Sequence, residues 1–140
     1  MIFLSFIAIY SNIERGRPSF GYREETYHHK FLYFSFVLSN ESDNTANFVT
    51  ERFKTIILNN DFIPLISHNP KSYCLAGRDE IELKFSPKNA SDINKIKEAD
   101  SFSIVYLFKY TDIHKLENLE SVMVDMSNAE KVTKFEIGTI

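Results

Sequence analysis

Metal binding is the first chemistry to consider, because the chain contains four histidines and one cysteine. These nitrogen and sulfur ligands are His28, His29, His68, Cys74 and His114. None of their spacings is the CxxC, HxxxH or HExxH that commits two ligands to one ion. Adjacent histidines on a strand would also point to opposite faces. The sequence therefore predicts no metal site, and its single cysteine indicates a reducing compartment such as the cytoplasm.

A second group of residues has the types that hydrolysis of a phosphodiester needs. Glu82-Leu83-Lys84 places an acid and a lysine two apart on an alternating strand, Asp61 begins an earlier segment, and Glu51 precedes both. This arrangement resembles the PD-(D/E)xK nucleases over about residues 43–85, although Asp61 is not preceded by proline.

The resemblance implies a magnesium-type site. In that family two carboxylates, here Asp61 and Glu82, hold a divalent cation, and the lysine, here Lys84, positions or activates the attacking water. The alternative is a solvated strand face, because cross-strand charge pairing produces the same Glu-x-Lys pattern.

The segment from Arg15 to Tyr33 interleaves cations with aromatic rings, which suits single-stranded nucleic acid because phosphates pair with arginine and bases stack on rings. Glutamates in the same segment bring its charge close to neutral, and the whole chain carries a formal charge of -3. Nucleic acid is therefore disfavoured. A protein partner is favoured instead, since Tyr and Arg are enriched at interface hot spots. The candidate contacts are Arg17, Tyr22 and Arg23.

The C-terminal part is acidic, because residues 111–140 contain six carboxylates and three lysines. Such a segment can form a face that meets a basic partner, since complementary fields raise association rates and select partners. The candidate contacts there are Glu117, Glu120 and Asp125. The alternative is a surface that only confers solubility.

Hydrophobic patterning predicts one α+β domain over residues 1–140, with a mostly antiparallel or mixed sheet. Val49, Phe53 and Ile56 repeat at spacings of four and three, which predicts one long helix at about 43–59. Two short helices are predicted at 90–99 and 111–119. Strands are predicted at 2–10, 31–38, 62–66, 72–76, 80–85, 102–108, 122–126 and 132–137.

Composition limits the function classes. The chain has 140 residues, of which 44% are hydrophobic and 25% charged, as in an ordinary globular domain. Its four glycines leave little material for a phosphate-binding loop. The apolar run at 2–10 is too short to cross a membrane as a helix.

With no catalytic signature beyond the nuclease resemblance, an enzyme is disfavoured and no cofactor is predicted. We expect a small acidic protein-binding module, specifically an immunity or inhibitor protein that masks the active site of a basic toxin or nuclease. A metal-dependent nuclease and a structural or oligomer-forming protein are the alternatives.

Overall fold

A computed structural model of the chain describes residues 17–28, 33–127 and 129–132. The strand expected at 2–10 lies outside these residues, as do 31–32 and 133–137 of two other expected strands. The described strands are β1 Phe20–His28, β2 Tyr33–Asn40, β3 Ala46–Leu58, β4 Asp61–Ser67, β5 Ser72–Leu75, β6 Glu80–Pro87, β7 Ser103–Thr111, β8 Glu117–Asp125 and β9 Glu130–Val132. A 3-10 turn at Ala90–Asp92 leads into a short helix, α1 Ile93–Lys97.

The strands lie side by side in the order β8-β7-β3-β4-β6-β2-β1-β9, and β5 pairs with β3 next to β4. The parallel pair is β1 with β9, and the other pairs in the described part are antiparallel. Strand β4 joins the two halves of the sheet, one formed by β8, β7, β3 and β5 and the other by β6, β2, β1 and β9. Its residues 61–64 pair with β3, and its residues 65–67 pair with β6. The sheet thereby curls into a half-barrel.

The expected α+β class with a long helix at 43–59 is wrong, because that segment forms β3. Two β-bulges explain the misleading pattern. Opposite β7, β3 has one extra residue between Asn47 and Thr50 and another between Glu51 and Phe53.

Each bulge moves the inward-facing set of β3 by one residue. The inward positions therefore pass from Ala46 to Val49 and later to Ile56, which imitates a helical repeat. The β-branched residues of this segment suit a strand. The pair Asn59-Asn60, expected to end the helix, forms the two-residue turn between β3 and β4, with φ of 47° and 69°.

The short helix expected at 111–119 is also wrong, because this segment forms the turn between β7 and β8. Asp112 Oδ1 accepts hydrogen bonds from the amides of His114 at 2.8 Å and Leu116 at 3.0 Å. Its Oδ2 accepts from the Asn118 side chain at 2.8 Å. Asp112 thus satisfies free amides as a helix cap would, but it closes a hairpin. The other short helix, expected at 90–99, is present as the 3-10 turn and α1.

Alternating inward-facing residues form the core. Along β7 these are Ile104, Tyr106, Phe108 and Tyr110, all nearly inaccessible to solvent. The alternation predicted for 80–85 is confirmed, since Leu83 and Phe85 are buried and Ile81 is half-buried, whereas Glu82 and Lys84 are exposed. Aromatic rings from both halves of the sheet meet inside, such as Phe85 with Tyr106 and Phe20 with Phe108. Burying each such ring stabilises the fold by about 1.5–3 kcal/mol.

Candidate functional site

The structure does not bring Asp61 together with Glu82. Ile66 of β4 lies opposite Ser86 of β6. Asp61 lies five residues before Ile66, and Glu82 lies four residues before its partner position. Because the two strands run antiparallel, these offsets add, and the carboxylates are separated by roughly 30 Å along the strands. In the described part of the chain, no three His, Cys, Asp or Glu side chains are grouped as metal ligands.

Lys84 lies among exposed charge-pairing partners. Its Nζ is 3.4 Å from Glu82 Oε1 and 5.9 Å from the centre of the Tyr33 ring. A hydrogen bond with Tyr33 and the nearby Glu82 carboxylate raise the pKa of Lys84. A lysine held in its protonated form cannot accept a proton from water, so these contacts favour the solvated-face interpretation of Glu82 and Lys84.

Glu51, the third acid of the nuclease pattern, points into the half-barrel instead. It lies between the two bulges of β3, opposite the inward-facing Phe108. Its Oε1 accepts hydrogen bonds from Ser67 Oγ at 2.8 Å and Asn69 Nδ2 at 3.1 Å. This inward acid was not foreseeable without the bulges, which decide the face on which Glu51 lies.

The three residues of the N-terminal segment that are expected to bind a partner differ in their contacts and exposure. Arg23 forms ion pairs with Glu24 and Glu80, and the Glu80 contact raises the pKa of Arg23 through a hydrogen bond. Tyr22 is half-buried, and its hydroxyl accepts a hydrogen bond from the Asp125 amide at 3.4 Å. Arg17 is exposed at the start of the described chain.

The three acids expected to form one face lie on both sides of β8. Glu117 and Asp125 are exposed and share the outer side with Leu119, Ser121 and Met123. Glu120 has the opposite parity and is half-buried, because successive side chains of a strand alternate between faces. The Lys109 ammonium lies 3.5 Å from a Glu117 carboxylate oxygen.

Between these two acids the outer face of the sheet is mostly apolar, with Ser121 as the polar residue of β8. Pairing places Met123 beside Val105, and Val105 beside Thr55 of β3. The neighbouring rows add further apolar side chains on the same side. Four of them are strongly exposed: Phe53 at 49%, Met123 at 61%, Leu119 at 63% and Phe62 at 68%. We call this surface the outer apolar face, and define it by Phe53, Ile57, Phe62, Pro64, Val105, Leu107, Leu119 and Met123.

A pocket of about 270 Å³ adjoins the outer apolar face, where β3, β5, β7 and β8 meet. Lys109 and Glu117 give it opposite charges, and Thr50 and Ser72 give it hydroxyls. Phe48 forms one wall. The Phe48 side chain is 67% exposed and its backbone has a φ of 51°, which is unfavourable for an aromatic residue. The first bulge of β3 thus holds an aromatic ring in solvent beside a polar pocket.

The sequence matches no protein-family model and no curated protein. Among the described residues, no helix is long and apolar enough to span a membrane. The outer apolar face and its pocket were missed by sequence reasoning. The strand pattern of β8 could have indicated part of it, since Leu119 and Met123 fall on the same side as the acids.

Proposed function

We propose that this chain is a protein-binding module that docks its partner on the outer apolar face. The observation that carries the proposal is the patch of apolar side chains on four neighbouring strands, in which Phe53, Phe62, Leu119 and Met123 are strongly exposed. Soluble domains rarely expose a contiguous apolar patch without using it for binding. Aromatic residues and methionine are also enriched at the centres of interfaces.

The partner in this proposal is a basic protein, and the function is inhibition of a toxin or nuclease by covering its active site. Support comes from the acids at the rim of the face, Glu117 and Asp125, and from β8, which contains three carboxylates and no basic residue. Acids around an apolar centre suit a cationic cleft, because they steer it into contact. The cytoplasm is the compartment that fits, given the single cysteine, Cys74.

The test compares a face variant with a matched control. Phe53→Ser removes an exposed ring from the centre of the face, and Ile113→Ser removes a 52% exposed side chain at the tip of the β7–β8 hairpin. A tagged chain captures partners from lysate of the source cells, and the affinity of the purified partner is then measured for each variant. We expect Phe53→Ser to weaken binding at least about tenfold and Ile113→Ser to leave it unchanged.

Light scattering on the free chain tests whether the outer apolar face binds a second copy of the chain instead. A stable dimer at low micromolar concentration, dissociated by Phe53→Ser, would replace the inhibitor proposal with an oligomer-forming role. Equal affinities of the two variants for the captured partner would place the interface elsewhere. A captured partner whose toxic or nuclease activity is unchanged by saturating chain would contradict inhibition.

A further inference from the structure

The first bulge of β3 interrupts strand pairing on both sides of β3 at the same place. Opposite β5, the extra residue lies between Ala46 and Val49. Opposite β7, it lies between Asn47 and Thr50, so Phe48 belongs to both stretches. Bulges are common next to functional sites, where they redirect a side chain. This bulge directs the Phe48 ring into solvent, where it forms a wall of the pocket between β3, β5, β7 and β8.

The conformation of Phe48 costs stability that packing of its ring does not restore. A φ of 51° is unfavourable for an aromatic residue, and a ring that is 67% exposed gains little from burial. Glycine would adopt the same backbone without strain. Strained residues cluster at ligand-binding and active sites. The ring of Phe48 therefore has a use outside the core, and the side chains next to it in the pocket indicate what that use is.

Strand pairing places polar side chains in two rows beside the Phe48 ring. Ser72 of β5, Thr50 of β3 and Lys109 of β7 form one row on the outer side of the sheet. Thr111 and Glu117 form the next row. Because neighbouring strands lie about 4.8 Å apart, the first row is about 10 Å long. The two rows form the floor of the pocket, which has a volume of about 270 Å³.

The formal charges of the pocket cancel. The Lys109 ammonium lies 3.5 Å from a Glu117 carboxylate oxygen, and both side chains reach solvent. An anion that contacted Lys109 would be repelled by Glu117, and a cation that contacted Glu117 would be repelled by Lys109. The pocket therefore favours a neutral ligand over an ion of either sign.

The hydrogen-bonding groups of the pocket include both donors and acceptors. The Thr50 hydroxyl donates to the Phe48 carbonyl at 3.0 Å, which leaves its oxygen as an acceptor. Glu117 only accepts and Lys109 only donates, whereas a serine or threonine hydroxyl can do both. A ligand that satisfies this mixture must have several groups that both donate and accept. It must also have an apolar surface that packs on Phe48.

We propose that the pocket binds one sugar ring of a carbohydrate. One face of a sugar ring presents C–H groups that are apolar and slightly positive, and such a face packs on the negative face of an aromatic ring. Each hydroxyl at the edge of the sugar donates and accepts, and two adjacent hydroxyls match the two oxygens of a carboxylate such as Glu117. This function goes beyond partner docking, because Phe48, Thr50 and Lys109 lie outside the outer apolar face.

The probes are the methyl glycosides of glucose, galactose, mannose and N-acetylglucosamine, titrated into the isotope-labelled chain and followed by NMR. We expect at least one of them to bind with a Kd of about 1–20 mM and to shift the amide signals of Phe48, Thr50 and Lys109. Cyclohexanol, which keeps the ring but has one hydroxyl, should bind at least about tenfold more weakly. The absence of shifts for all four glycosides up to about 100 mM would overturn the proposal.

Charged and planar compounds provide the competing outcomes. Acetate, N-acetylarginine amide and uridine are titrated under the same conditions. Each is expected to leave the three amide signals unshifted at concentrations where the best glycoside saturates them. If one of these compounds shifts the signals at lower concentration than every glycoside, the pocket recognises an ion or a nucleobase and the proposal is wrong.

Variants at Phe48 test the role of the ring. Phe48→Gly suits the backbone at this position, so the chain should stay folded while the affinity for the best glycoside falls at least about fivefold. Phe48→Tyr keeps an aromatic face and should bind within about twofold of the unchanged chain. Lys109→Met removes donors from the opposite side of the pocket and should weaken binding as well. Unchanged affinity in Phe48→Gly would contradict stacking on this ring.

A disaccharide of the sugar that binds most tightly distinguishes the two sources of such a ring. Affinity that rises by more than about threefold would identify a longer carbohydrate chain as the ligand, because further contacts then form outside the pocket. Equal affinity would identify a single free sugar. Both results support the proposed site.

Phe53→Ser separates this site from the proposed partner docking, because Phe53 is an exposed ring outside the pocket. It should weaken the protein partner and leave the affinity for the glycoside unchanged. Loss of glycoside binding in Phe53→Ser would place the sugar on the outer apolar face and overturn the pocket site. A protein partner that is lost with Phe53→Ser, in a chain that binds no glycoside, would keep the docking face and overturn the sugar site alone.

Discussion

The hydroxyl oxygens of Tyr73 and Tyr106 lie 3.1 Å apart inside the half-barrel, where they join β5 to β7 across β3. Burial is the main cause that raises the pKa of both phenols, to about 12 for Tyr73. The Glu51 carboxylate, held nearby by Ser67 and Asn69, acts in the same direction. The folded chain therefore keeps these phenols protonated at a pH where the unfolded chain releases their protons.

This relationship predicts a loss of stability at alkaline pH. Because the folded pKa of Tyr73 is raised from about 10, its contribution is fully present below pH 10 and is lost as pH rises toward 12. The loss approaches about 1.4 kcal/mol per pH unit in that window. Urea unfolding at a series of pH values should show a shallower alkaline decline for Tyr73→Phe than for the unchanged chain. Parallel declines would contradict the prediction.

Asp112 is expected to be the most sensitive residue of the β7–β8 turn. Burial opposes its ionisation, but hydrogen bonds from Leu116, Asn118 and His114 outweigh burial and hold the pKa of Asp112 below its usual value. Asp112→Ala leaves two amides without their acceptor and should lower the free energy of unfolding by about 2–3 kcal/mol. Asp112→Asn, which keeps one acceptor oxygen, should cost less.

The pH dependence of the same side chain provides an independent check. Since its folded pKa is lowered, the stability that Asp112 contributes is present above about pH 4, its unfolded pKa, and is lost as pH falls through the folded value. Thermal unfolding of the unchanged chain and Asp112→Asn should converge in acid. A constant difference in melting temperature across that range would argue against an ionised Asp112.

Gly77 and Gly21 form a matched pair for substitution by alanine. A Cβ at Gly77 would overlap the backbone carbonyl of Asp43 and lie 2.9 Å from the Asp43 Cα. A Cβ at Gly21 would meet only the carboxylate end of Glu41, which is exposed and can turn away. Denaturant unfolding should therefore show a loss of about 1–3 kcal/mol for Gly77→Ala and a few tenths for Gly21→Ala. Equal losses would mean that the loop around Asp43 adapts.

The division of the acids between the two faces of β8 predicts unequal effects on partner binding. Glu117→Gln combined with Asp125→Asn removes charge from the outer side, so the association rate with a basic partner should fall several-fold and depend less on salt. Glu120→Gln removes the same kind of charge from the inner side and should have little effect. Stopped-flow association at several salt concentrations distinguishes them, and a larger effect of Glu120→Gln would reverse the assignment of faces.

Sequence reasoning succeeded where the hydrophobic period is regular and failed where backbone geometry interrupts it. The strict alternation ending at Phe85 gave a correct strand, because β6 pairs without interruption. Strand β3 has two bulges, and no side-chain pattern reveals an extra residue before the partner strand is known. Asn59-Asn60 fits a helix end and a two-residue hairpin turn equally well, since asparagine tolerates positive φ in both.

The candidate site was hard to foresee for a related reason. Glu117 and Asp125 were identified by their charge, but the outer apolar face consists of residues from four strands that only pairing brings side by side. The spacing of Phe53 from Val49 and Ile56 predicts a helix. The second bulge of β3 moves Phe53 to the outer side, where it is 49% exposed. Residues that strand pairing brings together cannot be recognised as one site until the register of the strands is known.

The sharing of β4 between the two halves of the sheet sets an order for folding. The β3–β4 hairpin closes through two residues, and such hairpins form in about 1–10 μs. Pairing of β2 with β6 joins Phe34 to Phe85, about 50 residues apart. The entropic cost of closing this loop is therefore much larger than that of closing the β3–β4 hairpin. Since the end of β4 is the template on which β6 pairs, changes at Asn59-Asn60 should slow folding, whereas changes in β2 should mainly speed unfolding.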